Sequence, residues 1–225
     1  MNRNEAHRKW GHQHYDQMNW MANKCRIHLQ GKVGECAGCS LVKCRAKANA
    51  GTTKTKATEN GMRLFVDTTG PLPKSRGGMK YWQVAVDDKS DYSWTNFSAT
   101  KTHMTEFVDK LVTQIKGRGL NVLYLRCDNA GEHQTELRDL CVREGITIEY
   151  TAPYTPQQNG RAEKKIYVIW QRALTMMVHA KFTASTQNRF WAEAVACATY
   201  LENLTIKSGR IMSATEAWTG NDVHK

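Results

Sequence analysis

Three carboxylates stand where the sequence predicts that secondary-structure elements begin or end. Asp67 and Asp128 each end a short apolar strand, and Glu163 falls in the first turn of a long helix. Taken singly, each aspartate is typical of a turn, and the glutamate is typical of a helix N-terminus. Together they predict a metal site, because three carboxylates can hold two divalent ions about 3.5–4 Å apart. Hard oxygen ligands favour Mg²⁺ or Mn²⁺.

The predicted elements would bring these carboxylates together. Two strands linked through a crossover helix are parallel, so Asp67 and Asp128 should emerge at the same edge of the sheet, where sites are built. Glu163 lies three residues before Ile166 and is therefore expected on the inward face of its helix. Three further acids are interpreted as parts of a hairpin turn and not as metal ligands: Asp87, Asp88 and Asp91.

The N-terminal residues concentrate cysteine and histidine. Four of the seven cysteines fall within twenty residues, and the other three are scattered through apolar segments. In a reducing compartment, clustered thiols indicate a metal site and scattered thiols indicate core packing. The residues alone leave eight candidate ligands open, namely His7, His12, His14, Cys25, His28, Cys36, Cys39 and Cys44.

The elements that must position these side chains alternate between strands and helices. Apolar runs predict strands at Arg63–Asp67, Tyr81–Val86, Tyr92–Phe97 and Val122–Cys127, the last covered on both faces. Helical spacing predicts helices at Thr102–Lys116, around Leu137 to Cys141, after Pro156 and over 188–203, with one more strand before the third of these helices. A three-strand meander followed by alternating helices and strands predicts a mixed sheet with flanking helices.

Composition divides the chain and narrows its function class. The run 46–61 is small and polar and contains three lysines, which is typical of a linker. Residues 1–60 carry eleven Lys and Arg against four Asp and Glu, within an overall formal charge of +11. Such a basic surface favours nucleic acid as a partner. No apolar run is long enough for a membrane span and no signal peptide is recognisable, so we expect an intracellular protein with no membrane partner.

Several segments resemble copia-type (Pseudoviridae) retrotransposon integrases, in the same order along the chain. The most specific is TPQQNGRAEKK (155–165), which resembles the motif around the catalytic glutamate of that family. The others are HRKWGH (7–12), CAGC (36–39), VDTTGP (66–71), VDDKSDYSW (86–94), RCDNAGE (126–132), PYTPQQNG (153–160), RFWAEAV (189–195) and TEAWTG (215–220). The resemblance covers nearly the whole chain.

The resemblance implies a fold and a reaction. The fold would be an RNase H-like mixed five-stranded sheet with flanking helices, preceded by a small helical zinc-binding module. The reaction would be that of a DDE-type polynucleotidyl transferase, which trims the 3′ ends of the element's DNA and joins them to a target. Asp67, Asp128 and Glu163 would form its triad, binding Mg²⁺ or Mn²⁺.

The resemblance also implies a ligand set and a domain division. His7, His12, Cys36 and Cys39 match the family's zinc ligands, two nitrogens and two sulfurs that would form a tetrahedral shell. The expected domains are a zinc-binding module over 1–48, a linker over 49–61, a catalytic core over 62–205 and an extension over 206–225. A module of this size needs the metal for much of its stability.

Residues around Glu163 are candidate DNA contacts. Lys164 and Lys165 are expected on the side of the helix turned away from the core, where they would touch phosphates together with Gln157, Gln158 and Asn159. A solvated helix start is the alternative. The resemblance further implies a homo-oligomer that acts on element ends and target DNA in the nucleus or a virus-like particle.

Some features depart from the family pattern. The interval from Asp128 to Glu163 is one residue shorter than in the family, and Ala130 and His133 replace a glycine and an aromatic residue. The chain ends at Lys225 and lacks the long C-terminal region of integrases, so its last segment is expected to be truncated. Two other functions stay open: a catalytically inactive, integrase-derived nucleic-acid-binding protein, and an RNase H-fold nuclease that cuts without joining.

Overall fold

The computed structural model describes residues 1–42, 56–128, 134–150 and 160–223. Backbone contacts divide the chain into two compact units, one of Met1–Ala48 with Val168–Lys225 and one of Asn49–Tyr167. The expected division into a zinc-binding module, a linker, a catalytic core and an extension stays a prediction.

The unit of Asn49–Tyr167 is built on a five-stranded sheet. Its strands are β1 (Arg63–Thr69), β2 (Tyr81–Asp87), β3 (Ser93–Ser98), β4 (Tyr124–Cys127) and β5 (Thr147–Tyr150). They lie in the order β3-β2-β1-β4-β5, with β1, β2 and β3 antiparallel and β1, β4 and β5 parallel. The predicted RNase H-like mixed sheet is confirmed.

The β1–β2 pair forms the centre of this unit's core. Leu64, Val66, Trp82 and Val84 are fully buried, as expected for large and β-branched residues on a pleated surface covered by other elements. Gln83 is also fully buried, and its side chain is satisfied by Ser98 Oγ at 2.7 Å and by Asn96 Nδ2 at 2.9 Å. The core therefore accepts a polar side chain only together with its partners.

The prediction that both faces of β4 are covered is wrong. Leu125 and Cys127 are buried, but Tyr124 and Arg126 are partly exposed, so burial alternates along the strand. The reason is the cross-strand neighbour of Arg126 on β5: Glu149 accepts a hydrogen bond from Arg126 Nε at 2.8 Å. The apolar run that begins at Val122 gives no indication that one face of the strand is partly exposed to water.

Two predicted helices are present in this unit, and each lies between two strands along the chain. Helix α4 (Met104–Lys116) buries its predicted apolar stripe, which comprises Phe107, Leu111, Val112 and Ile115. Helix α5 (Gln134–Glu144) buries Leu137, Leu140 and Cys141. It ends at Gly145, whose φ of +70° suits the left-handed residue that commonly follows a helix.

The described residues of the other unit form helices, with one isolated β-bridge between Asn2 and Gln30. Its helices are α1 (Arg3–Lys9), α2 (Tyr15–Lys24), α3 (Ala37–Val42), α7 (Ala184–Leu204) and α8 (Ala214–Thr219). Helix α6 (Gly160–His179) contributes its residues from Val168 onward to this unit and its earlier residues to the other. No helix within the described ranges is long and apolar enough to cross a membrane.

A small apolar cluster and a buried ion pair stabilise the helical unit. Ala6, Met18, Ala22 and Leu29 form the cluster of the N-terminal helices. Arg172 of α6 pairs with Glu202 of α7 at 2.8 Å, with both side chains nearly inaccessible to water. Helix α8 begins with a reciprocal capping box between Ser213 and Glu216.

Candidate metal centres

The four residues that the family resemblance assigns to zinc meet in the helical unit. His12 Nδ1 lies 3.2 Å from His7 Nε2 and 3.3 Å from Cys36 Sγ. Cys39 Sγ lies 3.4 Å from His7 Nε2 and 3.7 Å from His12 Nδ1. The four ligand atoms all lie within 4.8 Å of one another, and both histidines are buried.

These separations fit the edges of a zinc tetrahedron. With Zn–N bonds of about 2.0–2.1 Å and Zn–S bonds of about 2.3 Å, two nitrogens are about 3.3 Å apart and a nitrogen and a sulfur about 3.6 Å. His7 Nδ1 lies 2.9 Å from the backbone carbonyl oxygen of Gln13, to which it can donate a hydrogen bond. That bond fixes the ring and leaves Nε2 with its lone pair aimed at the cluster. The residues present therefore fit a structural zinc ion.

Local backbone geometry brings the four ligands together. His7 lies in the last turn of α1, and the chain then reverses through Gly11 and His12, which have φ values of +71° and +58°. The positive φ of Gly11 favours glycine at this reversal, because a side chain there would be strained. Cys36 and Cys39 lie at the start of α3, where the N–H of Ser40 donates to the Cys36 carbonyl at 2.9 Å.

The rival ligands are not part of this cluster. The exposed His14 caps α2, accepting a hydrogen bond from the N–H of Asp16 at 3.4 Å. Burial, together with the nearby Glu216 and Asp222, raises the pKa of the Cys25 thiol, which disfavours the thiolate that a metal requires. His28 is exposed, and Cys44 lies outside the described residues.

The three carboxylates all belong to the sheet unit: Asp67 lies within β1, Asp128 directly follows β4, and Glu163 lies in the first turn of α6. The parallel pairing of the two strands that the sequence predicted is present, with Leu64 opposite Leu125 and Phe65 opposite Arg126. Continued by two residues, this register would bring Asp67 opposite Asp128, and adjacent strands lie about 4.8 Å apart. That the three acids form one site stays a prediction.

Electrostatics tie all three acids to one place. Burial, with smaller contributions from the charges of Asp128 and Glu163, raises the pKa of Asp67 to about 7, against the lowering effect of the Thr68 N–H. That N–H donates to Asp67 Oδ1 at 2.8 Å. Both other members of the predicted triad therefore lie close enough to Asp67 to disfavour its charged form.

The carboxylates are less tightly gathered than the zinc ligands. Within the described residues, the His/Cys cluster is the only group of three or more potential ligands whose atoms all lie within 4.8 Å. Asp128 and Glu163 are exposed, so the expectation that Glu163 turns inward is wrong. The inner side of the first turns of α6 is taken by Ala162 and Lys165 instead. The donor set is made of hard oxygens, and it fits Mg²⁺ or Mn²⁺ by that chemistry.

The predicted DNA contacts have different outcomes. Lys164 is exposed, consistent with its predicted position. Lys165 is only 5% exposed and donates to Asp91 Oδ2 at 2.9 Å, so the prediction that it faces away from the core is wrong. A buried lysine needs a charged partner, and Asp91 supplies it. Gln157, Gln158 and Asn159 lie outside the described residues, as do Ala130, His133 and most of the shortened interval.

Sequence reasoning missed the role of the β2–β3 turn. Asp87 does act as a turn former, since it accepts hydrogen bonds from the Ser90 N–H and hydroxyl at 2.7 and 2.6 Å. Asp88 and Asp91 instead pair with Arg161 and Lys165 of α6. The available signal was the spacing of Arg161 and Lys165, four residues apart and therefore on one face of the helix.

The raised pKa of Asp67 predicts how stability depends on pH in the metal-free protein. The folded pKa exceeds the unfolded value of about 3.9, so the contribution of Asp67 is fully present below pH 4 and is lost as pH rises through about 7. Asp67→Asn should remove this loss and raise the free energy of unfolding at pH 8 by about 2–4 kcal/mol. Urea unfolding in chelator between pH 4 and 8 measures it. An unchanged pH dependence in Asp67→Asn would contradict the assigned shift.

Comparison with known proteins gives related sequences and a shared fold. No family model matches the chain. It is 35% identical over 166 residues to the "Retrovirus-related Pol polyprotein from transposon TNT 1-94" of Nicotiana tabacum, covering 71% of this chain and 12% of that protein. It is 27% identical over 177 residues to the corresponding protein from transposon RE2 of Arabidopsis thaliana, covering 76% of this chain and 12% of that protein. The chain thus spans about an eighth of the length of these relatives.

A solved structure shares the fold at low sequence identity. It is a chain of the cryo-EM structure of the simian T-cell lymphotropic virus intasome in complex with PP2A regulatory subunit B56 gamma. The TM-score is 0.59 with 16% identity, and the match covers 84% of this chain and 64% of that one. The resemblance that the motifs indicated is confirmed: this chain is related to the Pol polyproteins of copia-type retrotransposons and has the fold of a retroviral intasome protein.

Proposed function

We propose that this chain is part of a retrotransposon integrase that processes the 3′ ends of DNA and joins them to target DNA. The observation that supports the proposal is the parallel register of β1 and β4, which, continued by two residues, would bring Asp67 opposite Asp128, while Asp128 and Glu163 both raise the pKa of Asp67. Carboxylates at the carboxyl ends of parallel strands are positioned for a ligand and not for the core.

The three acids would hold the divalent ions of the reaction. Two Mg²⁺ or Mn²⁺ ions bound there would activate the attacking oxygen and stabilise the leaving oxygen of the phosphodiester. Asp67 would contribute its carboxylate from a half-buried position, fixed by the Thr68 N–H. Asp128 and Glu163 would contribute theirs from exposed positions that DNA can approach. Attack by water would give end processing, and attack by the new 3′ hydroxyl would give joining.

Positive side chains near the site would hold the DNA. Lys164 follows Glu163 directly and is exposed, so its ammonium can approach a phosphate beside the reacting one. Gln157, Gln158 and Asn159 stay predicted contacts on the strength of the family motif. The shared fold with an intasome chain supports DNA as the partner and a multimer as the working form. The similarity to retrotransposon Pol polyproteins supports an intracellular or particle-associated protein, for which we propose the nucleus or a virus-like particle.

The His7, His12, Cys36 and Cys39 cluster would hold a structural zinc ion. Four ligands of the correct types at tetrahedral separations support this assignment. The apolar cluster of the N-terminal helices contains few residues, so the zinc ion would supply much of the folding free energy of residues 1–42.

Cys39→Ser should abolish stoichiometric zinc binding. Zinc content after dialysis should fall from one ion per chain toward none, with loss of amide-exchange protection over residues 1–42 and retained protection in the β-sheet. Cys25→Ser is the matched control, because Cys25 lies outside the cluster, and it should keep its zinc. Full zinc content in Cys39→Ser would contradict the ligand assignment.

Strand transfer in Mn²⁺ on a pre-branched DNA substrate tests the triad and the reaction together. Wild type should give covalently joined strands, while Asp128→Asn should lower joining by at least about 100-fold at unchanged DNA affinity, because a metal ligand is lost. Asp139→Asn is the matched control, since Asp139 is an exposed acid on α5. Cleavage without joining would indicate a nuclease, and DNA binding alone a non-catalytic protein. Joining by Asp128→Asn would remove Asp128 from the triad.

A further inference from the structure

The β2–β3 turn and the first turns of α6 are joined by a cluster of charged side chains, which we call the clamp: Asp88, Asp91, Arg161 and Lys165. Lys165 Nζ donates to Asp91 Oδ2 at 2.9 Å and to the Asp91 carbonyl at 3.2 Å. Arg161 hydrogen-bonds Asp88 and lies 3.4 Å from Asp91 Oδ1. Two cations of one helix thus bind two anions of one turn.

Burial makes the clamp more specific than a surface ion pair. Lys165, Asp88 and Asp91 are 5%, 5% and 8% exposed. Charges withdrawn from water in this way require close, well-directed partners, and each of these side chains has one. A shift of α6 along or around its axis would break these contacts, so the clamp fixes the helix in one position relative to the turn.

The turn that holds the anions is itself braced. Asp87 accepts hydrogen bonds from the Gly61 N–H and from Ser90, and Asp88 accepts one from the Ala57 N–H at 2.7 Å. Asp91 has a φ of +66°, a conformation that aspartate and asparagine tolerate better than most residues. The backbone of the turn and the Asp88 carboxylate are therefore held by contacts of their own, in addition to those with α6.

Helix geometry connects the clamp to Glu163. Glu163 lies two residues after Arg161 and two before Lys165, and each residue turns an α-helix by about 100°. Its side chain therefore leaves the helix about 160° away from both clamped residues. This matches the exposure of Glu163 and the burial of Lys165. Anchoring one face of α6 fixes the direction in which the opposite face presents Glu163.

A further contact joins the clamp to the strand that carries Asp67. The Arg161 guanidinium lies over the ring of Phe65, 5.5 Å from its centroid. Phe65 is two residues before Asp67 on β1 and is buried. The helix that carries Glu163 and the strand that carries Asp67 are thus held by the same side chain.

From these contacts we infer that Asp88 and Asp91 are positioning residues, which act through Arg161 and Lys165 to hold Glu163 beside Asp67 and Asp128. The inference rests on the proposed function, since Glu163 has a site to be held in only if the three carboxylates bind metal. The two acids touch neither metal nor DNA themselves.

Calorimetric titration of the zinc-loaded protein with Mn²⁺ alone tests the inference. Asp91→Asn keeps the shape and the backbone conformation of Asp91 while removing its charge. It should weaken Mn²⁺ binding about 10-fold to 100-fold, the usual effect of losing a group that orients a metal ligand. The matched control is Glu144→Gln, which removes an exposed ion pair with Lys116 of 2.6 Å in the same unit and should leave Mn²⁺ affinity unchanged.

A second background separates positioning from general stability. The Glu163→Gln variant already lacks the carboxylate that would bind Mn²⁺. Adding Asp91→Asn to it should weaken Mn²⁺ binding no further, because Asp91 acts through Glu163. Equal losses in both backgrounds would overturn the inference. Arg161→Gln replaces a partly exposed member of the clamp, and it is the variant to titrate with Mn²⁺ if Asp91→Asn does not fold. Unchanged affinity in a folded Arg161→Gln would also overturn it.

Failure of the proposed function gives a different result. If the wild-type protein binds Mn²⁺ but joins no DNA, the proposed joining reaction is wrong. The dependence of Mn²⁺ affinity on Asp91 then still decides the inference about Asp88 and Asp91. If Asp67→Asn leaves Mn²⁺ binding intact, the metal site is elsewhere and both proposals fall.

Discussion

Parallel pairing of β1 with β4 is the constraint on which the rest of the structure depends. It sets Asp67 of β1 on the strand next to the one that Asp128 follows. Burial, with added repulsion from Asp128 and Glu163, raises the pKa of Asp67 to about 7. In the metal-free chain this arrangement is a cost to stability. A divalent cation between the same groups would reverse the sign of the interaction. This reversal supports the proposed function, because a bound divalent cation would offset the repulsion among the three acids.

The position of the third carboxylate must be fixed in a different way, since Glu163 lies on a helix and not in the sheet. No strand register fixes Glu163, and the residues immediately before α6 lie outside the described part of the chain. Oppositely charged side chains supply the fixed position instead: the buried contact of Lys165 with Asp91 and the contacts of Arg161. The helical unit meets a comparable need with His and Cys ligands, because its small apolar cluster offers little to hold α1 against α3.

Much of the sheet could be predicted from the sequence because its signals are local. A short apolar run located β1, aromatic and β-branched residues located β2 and β3, and apolar spacing located α4 and α5. The parallel pairing of β1 with β4 followed from topology alone. The zinc ligands did not: eight His and Cys residues were equivalent candidates until the family resemblance chose four, and the choice depends on a backbone reversal at Gly11 and His12.

The errors share one cause, which is the pairing of charges over long sequence distances. Lys165 was expected on the side of the helix turned away from the core, but Asp91, more than seventy residues earlier, pairs with it and allows its burial. Glu163 was expected inside because Ile166 follows it, yet the buried Lys165 sets the rotation of the helix. Arg126 opens one face of β4 because Glu149 stands opposite. Hydrophobic periodicity does not contain this information.

Anomalous diffraction from crystals of the zinc-loaded protein soaked in Mn²⁺ tests the central claim most directly. The account predicts manganese bound between Asp67, Asp128 and Glu163, in addition to zinc at His7, His12, Cys36 and Cys39. It also predicts that Asp67→Asn crystals lose the manganese and keep the zinc. Manganese bound away from Asp67, or full occupancy in Asp67→Asn, would contradict the claim that this edge of the sheet is a metal centre.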